Sequence, residues 1–189
     1  MRIAPYTPEH REEMHHICLS TASERARTEA THARFTLLMY CDPYLDHGTA
    51  LMLLDDNDVA RGYTLLPTEF DTWKDIFEPY REEICSLGPE YAARVDDEYA
   101  YFEKVADEYP VHLHIDIEDG YQGGGNGRAL IEALLHILYE RKIPAISFGV
   151  ASSNPRAAGF YEHVGFERVP ELEDNGYVFA MRYPYLEGK

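Results

Sequence analysis

The chain has only three cysteines, Cys18, Cys41 and Cys85, far apart and without a C-x-x-C pair, which excludes a disulfide framework and a zinc knuckle. Free, buried thiols in a reducing compartment are the expectation. No apolar run approaches a membrane span, and residues 1–5 lead into a charged helix rather than an apolar targeting segment. A cytoplasmic protein without membrane partners is expected. Positive charge is also scarce, with 17 basic against 34 acidic residues and a net charge of −17. Such a surface repels nucleic acid phosphates and favours cationic partners, although acidity also serves solubility alone. No Ser-His-Asp or Cys-His set has a recognisable spacing, which argues against a hydrolase.

What is present is ordinary for a globular protein, with 45% hydrophobic and 27% charged residues over 189 positions. One domain over 1–189 is expected, and oligomeric state is left open, a homodimer included. A first strand at 2–6 leads to Thr7-Pro8, a helix start that continues to about residue 20. A second helix is expected over 31–44, then strands at 50–54 and 60–66 joined by the polar turn Asp55-Asp56-Asn57-Asp58.

Segment 70–110 reads as a helical hairpin packed on a sheet edge. Trp73, Phe77, Tyr80 and Ile84 form an aromatic-rich stripe, Pro79 is expected to kink or restart the first helix, and Gly88-Pro89 ends it. Tyr91, Val95, Phe102 and Tyr109 form the buried side of the second. The segment carries twelve acids against four bases. Two readings stay open: a roof over a cleft that attracts an amine, or a solvated face covering an edge strand.

The 111–117 run alternates strictly, placing Val111, Leu113, Ile115 and Ile117 on one face and His112, His114 and Asp116 on the other. A strand covered on both sides is usually apolar on both, so this polar row needs partners. After it comes Tyr121-Gln122-Gly123-Gly124-Gly125-Asn126-Gly127-Arg128, opening a helix. A glycine-rich turn at a helix start offers unpaired N–H groups to a phosphate. A dinucleotide fingerprint fails, because Leu130 occupies the last glycine position and no acid closes the strand at 146–150. A P-loop fails as well, because Arg128-Ala129 follows Gly127. Some thirty residues downstream stands Asn154-x-x-Ala157-x-x-x-Tyr161-x-x-x-Gly165-Phe166. Asn154-Pro155 reads as a cap and first helical residue, while Asn154, Ala157 and Tyr161 share one helix side. A final strand is expected over 176–183, with Val178, Ala180 and Arg182 on one face.

These two blocks resemble the GNAT superfamily of acyl-CoA-dependent N-acyltransferases, whose motifs read Q/R-x-x-G-x-G/A and N-x-x-A-x-x-x-Y-x-x-x-G-F. The resemblance covers about 111–169, and topology alone extends it further. It implies a mixed, mostly antiparallel twisted α/β sheet flanked by helices, with the hairpin inserted before the fourth strand. It further implies that acetyl-CoA lies between the fourth and fifth strands and that its acetyl group passes directly to a primary amine, small molecule or peptide, in a ternary complex. By the same resemblance Gln122, Gly123, Gly124, Gly125, Asn126, Gly127, Arg128 and Asn154 hold the cofactor, Ile115, Asp116 and Ile117 offer main-chain groups, and Tyr161 protonates the departing thiolate. Gly123 and Gly124 stand where many members carry a basic residue, so any side-chain charge on the diphosphate is expected from Arg128 or from elsewhere in the chain. For the base, His112 and His114 suit proton removal near neutral pH, with Asp116 or Glu118 acting through water or holding an ammonium. The His-x-His pair is similar to that of arylalkylamine acetyltransferases, shifted by one residue. A metal at His112, His114 and Asp116 lacks a second ligand cluster, and none is expected. The alternative function is a non-catalytic CoA-binding or interaction module of the same fold.

Overall fold

A computed structural model describes residues 1–174 and 176–185; Asn175 and 186–189, included in the expected domain, lie outside the described residues. Strand β1 (Arg2–Pro5) precedes helix α1 (Arg11–Thr21), the short α2 (Glu24–Thr28), α3 (Ala30–Tyr40) and α4 (Asp42–His47). The helix expected over 31–44 is thus two helices, broken at Cys41. Pro43 lacks the N–H that a continuous helix would need and instead sits in the first turn of α4. α2 was not expected; Ser23 caps it by accepting from the Ala26 N–H.

Strands β2 (Thr49–Leu54) and β3 (Ala60–Leu66) form the expected hairpin. Asp55 closes its turn by accepting from the N–H groups of Asn57 and Val59. Then come α5 (Phe70–Ser86) and α6 (Pro89–Val105), which pack on α3 and α4 rather than only on a sheet edge. α5 runs through Pro79 without restarting. An interior proline costs about 3 kcal/mol. Trp73, Phe77 and Ile84, all buried, offset it at about 1.5–3 kcal/mol each. Tyr109 is buried as expected but lies past the end of α6, packed with Val178 and Ala180.

The fourth strand is shorter than its alternation suggests. β4 covers only His114–Ile117, and Val111 makes an isolated parallel bridge to Ile146. α7 (Asn126–Arg141), β5 (Ala145–Ala151), α8 (Pro155–Val164), β6 (Glu167–Arg168) and β7 (Gly176–Arg182) complete the chain. The strands form two antiparallel sheets, β1-β2-β3-β4 and β5-β7-β6. Val111 holds them together through the bridge and its carbonyl, which accepts from Ser147 N–H at 3.2 Å. Past that point β4 and β5 diverge, and a wedge opens between them. Among the described residues four core clusters form: the largest joins α1, α3, α4, α5, α6 and the β2–β3 hairpin, a second joins α7, α8 and β5, and two smaller ones tie α7 to β2 and the end of α6 to β5 and β7. No described helix is long and apolar enough to cross a membrane.

Candidate active site

Register decides which β4 groups face the wedge. Glu118 N–H donates to Arg61 O, so the opposed pairs Asp116–Tyr63 and His114–Leu65 are the hydrogen-bonded ones. The peptide groups of Ile115 and Ile117 therefore point away from β3 into the wedge. Those of Asp116 are spent on β3, which corrects the main-chain role expected there.

At the far end of β4, Gly123, Gly124 and Gly125 all adopt positive φ (91°, 58° and 87°), a conformation that strains any other residue. Asn126 N–H turns back to Gly123 O, while the N–H groups of Gly124, Gly125, Gly127 and Arg128 find no backbone acceptor among the described residues. They form the electropositive start of the 16-residue helix α7. Side chains brace the loop: Gln122 Nε2 donates to Ile117 O at 3.0 Å and Asn126 Nδ2 to Tyr121 O at 2.8 Å. A Cβ on Gly127 would meet Phe160 Cζ at 3.0 Å, so α7 and α8 approach so closely there that a side chain would have to displace the Phe160 ring. Gln122 and Asn126 thus brace the loop through their side chains. Arg128 instead reaches His163 Nε2 at 2.8 Å and Glu132 at 3.7 Å.

Asn154 caps α8, its Oδ1 accepting from Ala157 N–H at 3.0 Å. Seven residues on, Tyr161 is buried among Phe148, Phe166 and Phe179, with the Phe148 ring centroid 4.6 Å away. Burial, and secondarily the nearby Asp116 charge, push its phenol pKa above the ordinary value. The hydroxyl therefore stays protonated throughout the neutral range.

The polar face of β4 finds its partners in two tyrosines. Tyr44 Oη lies 2.7 Å from His112 Nε2 and 3.0 Å from His114 Nε2. One hydroxyl proton serves only one of these nitrogens, so the other imidazole must donate from Nε2 while both rings are neutral. Tyr63 donates to Asp116 Oδ2 at 2.7 Å. Asp116 is thereby separated from the histidine pair although it shares their strand face. Burial raises its pKa, opposed by the bond from Tyr63.

His112 and His114 form one wall of a cavity of about 860 Å³ bounded by α3, α6, β5 and β7. The hairpin supplies Arg94, Asp97, Glu98, Tyr101 and Phe102 to it, so α6 roofs this space instead of only covering an edge strand. Phe102 stacks on His112 with centroids 4.0 Å apart. Glu98 was not among the candidates read from the sequence; it accepts from Tyr40 Oη at 2.9 Å. Its only signal was membership in an acid-rich helix. Glu118 is paired with His16 at 3.2 Å and Arg61 at 3.3 Å, away from the cavity lining. Among the described residues no three His, Cys, Asp or Glu side chains converge as a metal site. Cys18 and Cys41 are buried free thiols, whereas Cys85 is half-buried.

Burial lowers the pKa of His112 well below normal, with His114 adding to the effect, and lowers that of His114 to about 4. Both histidines are unprotonated in the fold at neutral pH. In the unfolded chain they take up protons below about pH 6.5. Stability is therefore complete above that pH and is lost as pH falls towards 4, while Glu98 and Asp116, raised by burial, change in the opposite sense. Between pH 7 and 5, denaturant titrations should show that His114→Gln loses about 2 kcal/mol less stability than the parent. Equal losses would mean that His114 does not resist protonation.

Residues 31–166 match the acetyltransferase (GNAT) family. Among solved structures, SsHAT is 26% identical over 96% of this chain and 97% of its own length, with a TM-score of 0.80. An acetyltransferase of the GNAT family from Staphylococcus aureus Mu50 is 15% identical, covering 96% and 98% of the two chains, with a TM-score of 0.63. An agmatine N-acetyltransferase is 12% identical over 96% and 98%, with a TM-score of 0.65. The last two likenesses show the fold alone. With the split sheet, the amide-lined loop and a family match over most of its length, the chain belongs to the GNAT acetyltransferase family.

Proposed function

We propose that the protein transfers an acetyl group from acetyl-CoA to a primary amine by direct attack in a ternary complex. One observation carries this reading: the wedge between β4 and β5 has unpaired loop amides at one end and the acid-bearing cavity at the other. The loop would receive the diphosphate, and the outward peptide groups of Ile115 and Ile117 would hold the pantetheine arm and the thioester carbonyl. Bound acetyl-CoA supplies the activated acyl carbon.

The chain's own groups then have distinct tasks. An outward β4 N–H stabilises the tetrahedral oxyanion. Tyr161, kept protonated by its apolar ring cage, gives a proton to the departing sulfur. The neutral histidines place no positive charge on the cavity wall, and Tyr44 fixes their orientation. Acids lining the cavity, Asp97, Glu98 and Asp174 against Arg94, favour a cationic acceptor.

Calorimetry with acetyl-CoA, followed by thiol release measured across a panel of amines, tests this. Saturable binding and release that depends on the amine are expected. Binding without release from any amine would favour the non-catalytic module, and no binding at millimolar ligand would remove both readings.

A further inference from the structure

Resting on the acyltransferase reading, we propose that Glu98, carried by the inserted hairpin, receives the acceptor's ammonium group and takes its proton before attack. Three carboxylates line the cavity, and two of them, Asp97 and Asp174, are exposed at residue level. Glu98 is half-buried. Its Oε2 accepts from Tyr40, while its Oε1 has no hydrogen-bond donor among the described residues. A fixed carboxylate with one free oxygen on a cavity wall is ready for a charge-assisted bond from an ammonium.

The other candidate bases each already engage a tyrosine hydroxyl. His112 and His114 share the Tyr44 hydroxyl through their Nε2 atoms, and His112 is further pinned beneath Phe102. Asp116 is bonded to Tyr63 and does not line the cavity.

Several groups set the electrostatics around Glu98. Burial raises its pKa, while the Tyr40 bond and the Arg94 charge oppose that rise. Tyr44, His112 and His114 face it as neutral groups, and Asp97 and Asp174 add negative charge to the same space. A raised carboxylate pKa narrows the gap to the ammonium and makes the proton transfer less uphill.

The balance is complete. R–NH3⁺ gives one proton to Glu98, and the freed lone pair forms the C–N bond to the thioester carbon. On collapse the C–S bond breaks, sulfur takes the Tyr161 proton, and the second nitrogen proton restores the phenol. Glu98 then releases its proton to solvent.

The test measures kcat and KM from pH 6 to 10 with acetyl-CoA and two acceptors, phenethylamine and 1,4-diaminobutane. It compares the parent with Glu98→Gln, Glu98→Asp and Glu103→Gln, the last on an exposed α6 position outside the cavity. Glu98→Gln should lower kcat/KM about ten- to a hundredfold at pH 7, with the deficit shrinking as pH rises and solvent deprotonates the amine. Glu98→Asp should recover part of the loss, Glu103→Gln should match the parent, and acetyl-CoA affinity should be unchanged in all. A Glu98→Gln profile that parallels the parent's at every pH would overturn the role of Glu98 and leave the acyltransferase reading intact. A parent that binds acetyl-CoA but acetylates neither these acceptors nor any other amine would overturn both.

Discussion

Tyr161→Phe should slow amine-dependent turnover by about ten- to a thousandfold, the usual range for a lost general acid, while acetyl-CoA binding changes little. The structure favours so clean a separation. Tyr161 is held by ring contacts to Phe148, Phe160, Phe166 and Phe179, which phenylalanine keeps. Only the hydroxyl is lost. The departing thiolate, with an ordinary thiol pKa near about 8.5, would then draw its proton from water. Burial makes the phenol a weaker acid in solution terms, but it also guarantees that the proton is present at every working pH. Single-turnover acyl transfer and calorimetric binding, measured side by side, separate the two effects. Equal turnover rates would remove Tyr161 from the mechanism.

Asp42→Ala should lower unfolding stability by about 3 kcal/mol, because a nearly buried anion then leaves several cations without their shared partner. For a chain of this size that corresponds to a fall in melting temperature of roughly 6–12 °C. Asp42 sits at the start of α4 with its side chain only 6% exposed, and it binds Arg11 at 2.6 Å, His15 at 2.7 Å and Arg34 at 3.1 Å. Burial alone would raise its pKa, yet the bonds from His15 and Arg11 outweigh that and hold it below the ordinary value. The loss stops short of the largest values for buried charges because Arg11 keeps Asp46 and Arg34 keeps Glu83. Asp58→Ala, which removes an exposed pair with Arg2, should change stability by less than about 1 kcal/mol. Should the two variants melt together, the network around Asp42 contributes nothing net. Since α4 also carries Tyr44, Asp42→Ala should loosen the histidine pair as well.

Local patterns made much of this legible. Alternation along 111–117 assigned the two faces of β4 correctly, because a pleated strand fixes side-chain direction residue by residue. The glycine loop and the Asn154 cap were likewise readable, since both depend on neighbouring residues. The length of β4 was not. Alternation reports side-chain direction, whereas the strand's end is set by where β5 departs. Tyr44, Tyr63 and Tyr40, the partners that explain the polar row and Glu98, reach across 68, 53 and 58 residues of sequence. No spacing rule predicts such contacts. Glu98 was hidden among twelve acids of the hairpin, and only the packing of α6 over the cavity distinguishes it.

Where the hairpin is anchored has an evolutionary corollary. Aromatic anchors of the hairpin sink into the layer of α1, α3 and α4, whereas the glycine loop and Tyr161 belong to α7 and α8, and the end of α6 touches β5 and β7 through Val105. A lineage can therefore vary the cavity-facing positions of α6 around Glu98 and trade one acceptor for another while the groups that handle the donor stay in place. Chimeras exchanging this hairpin between relatives should take acceptor selectivity and the Glu98 carboxylate from the graft, and donor binding from the host.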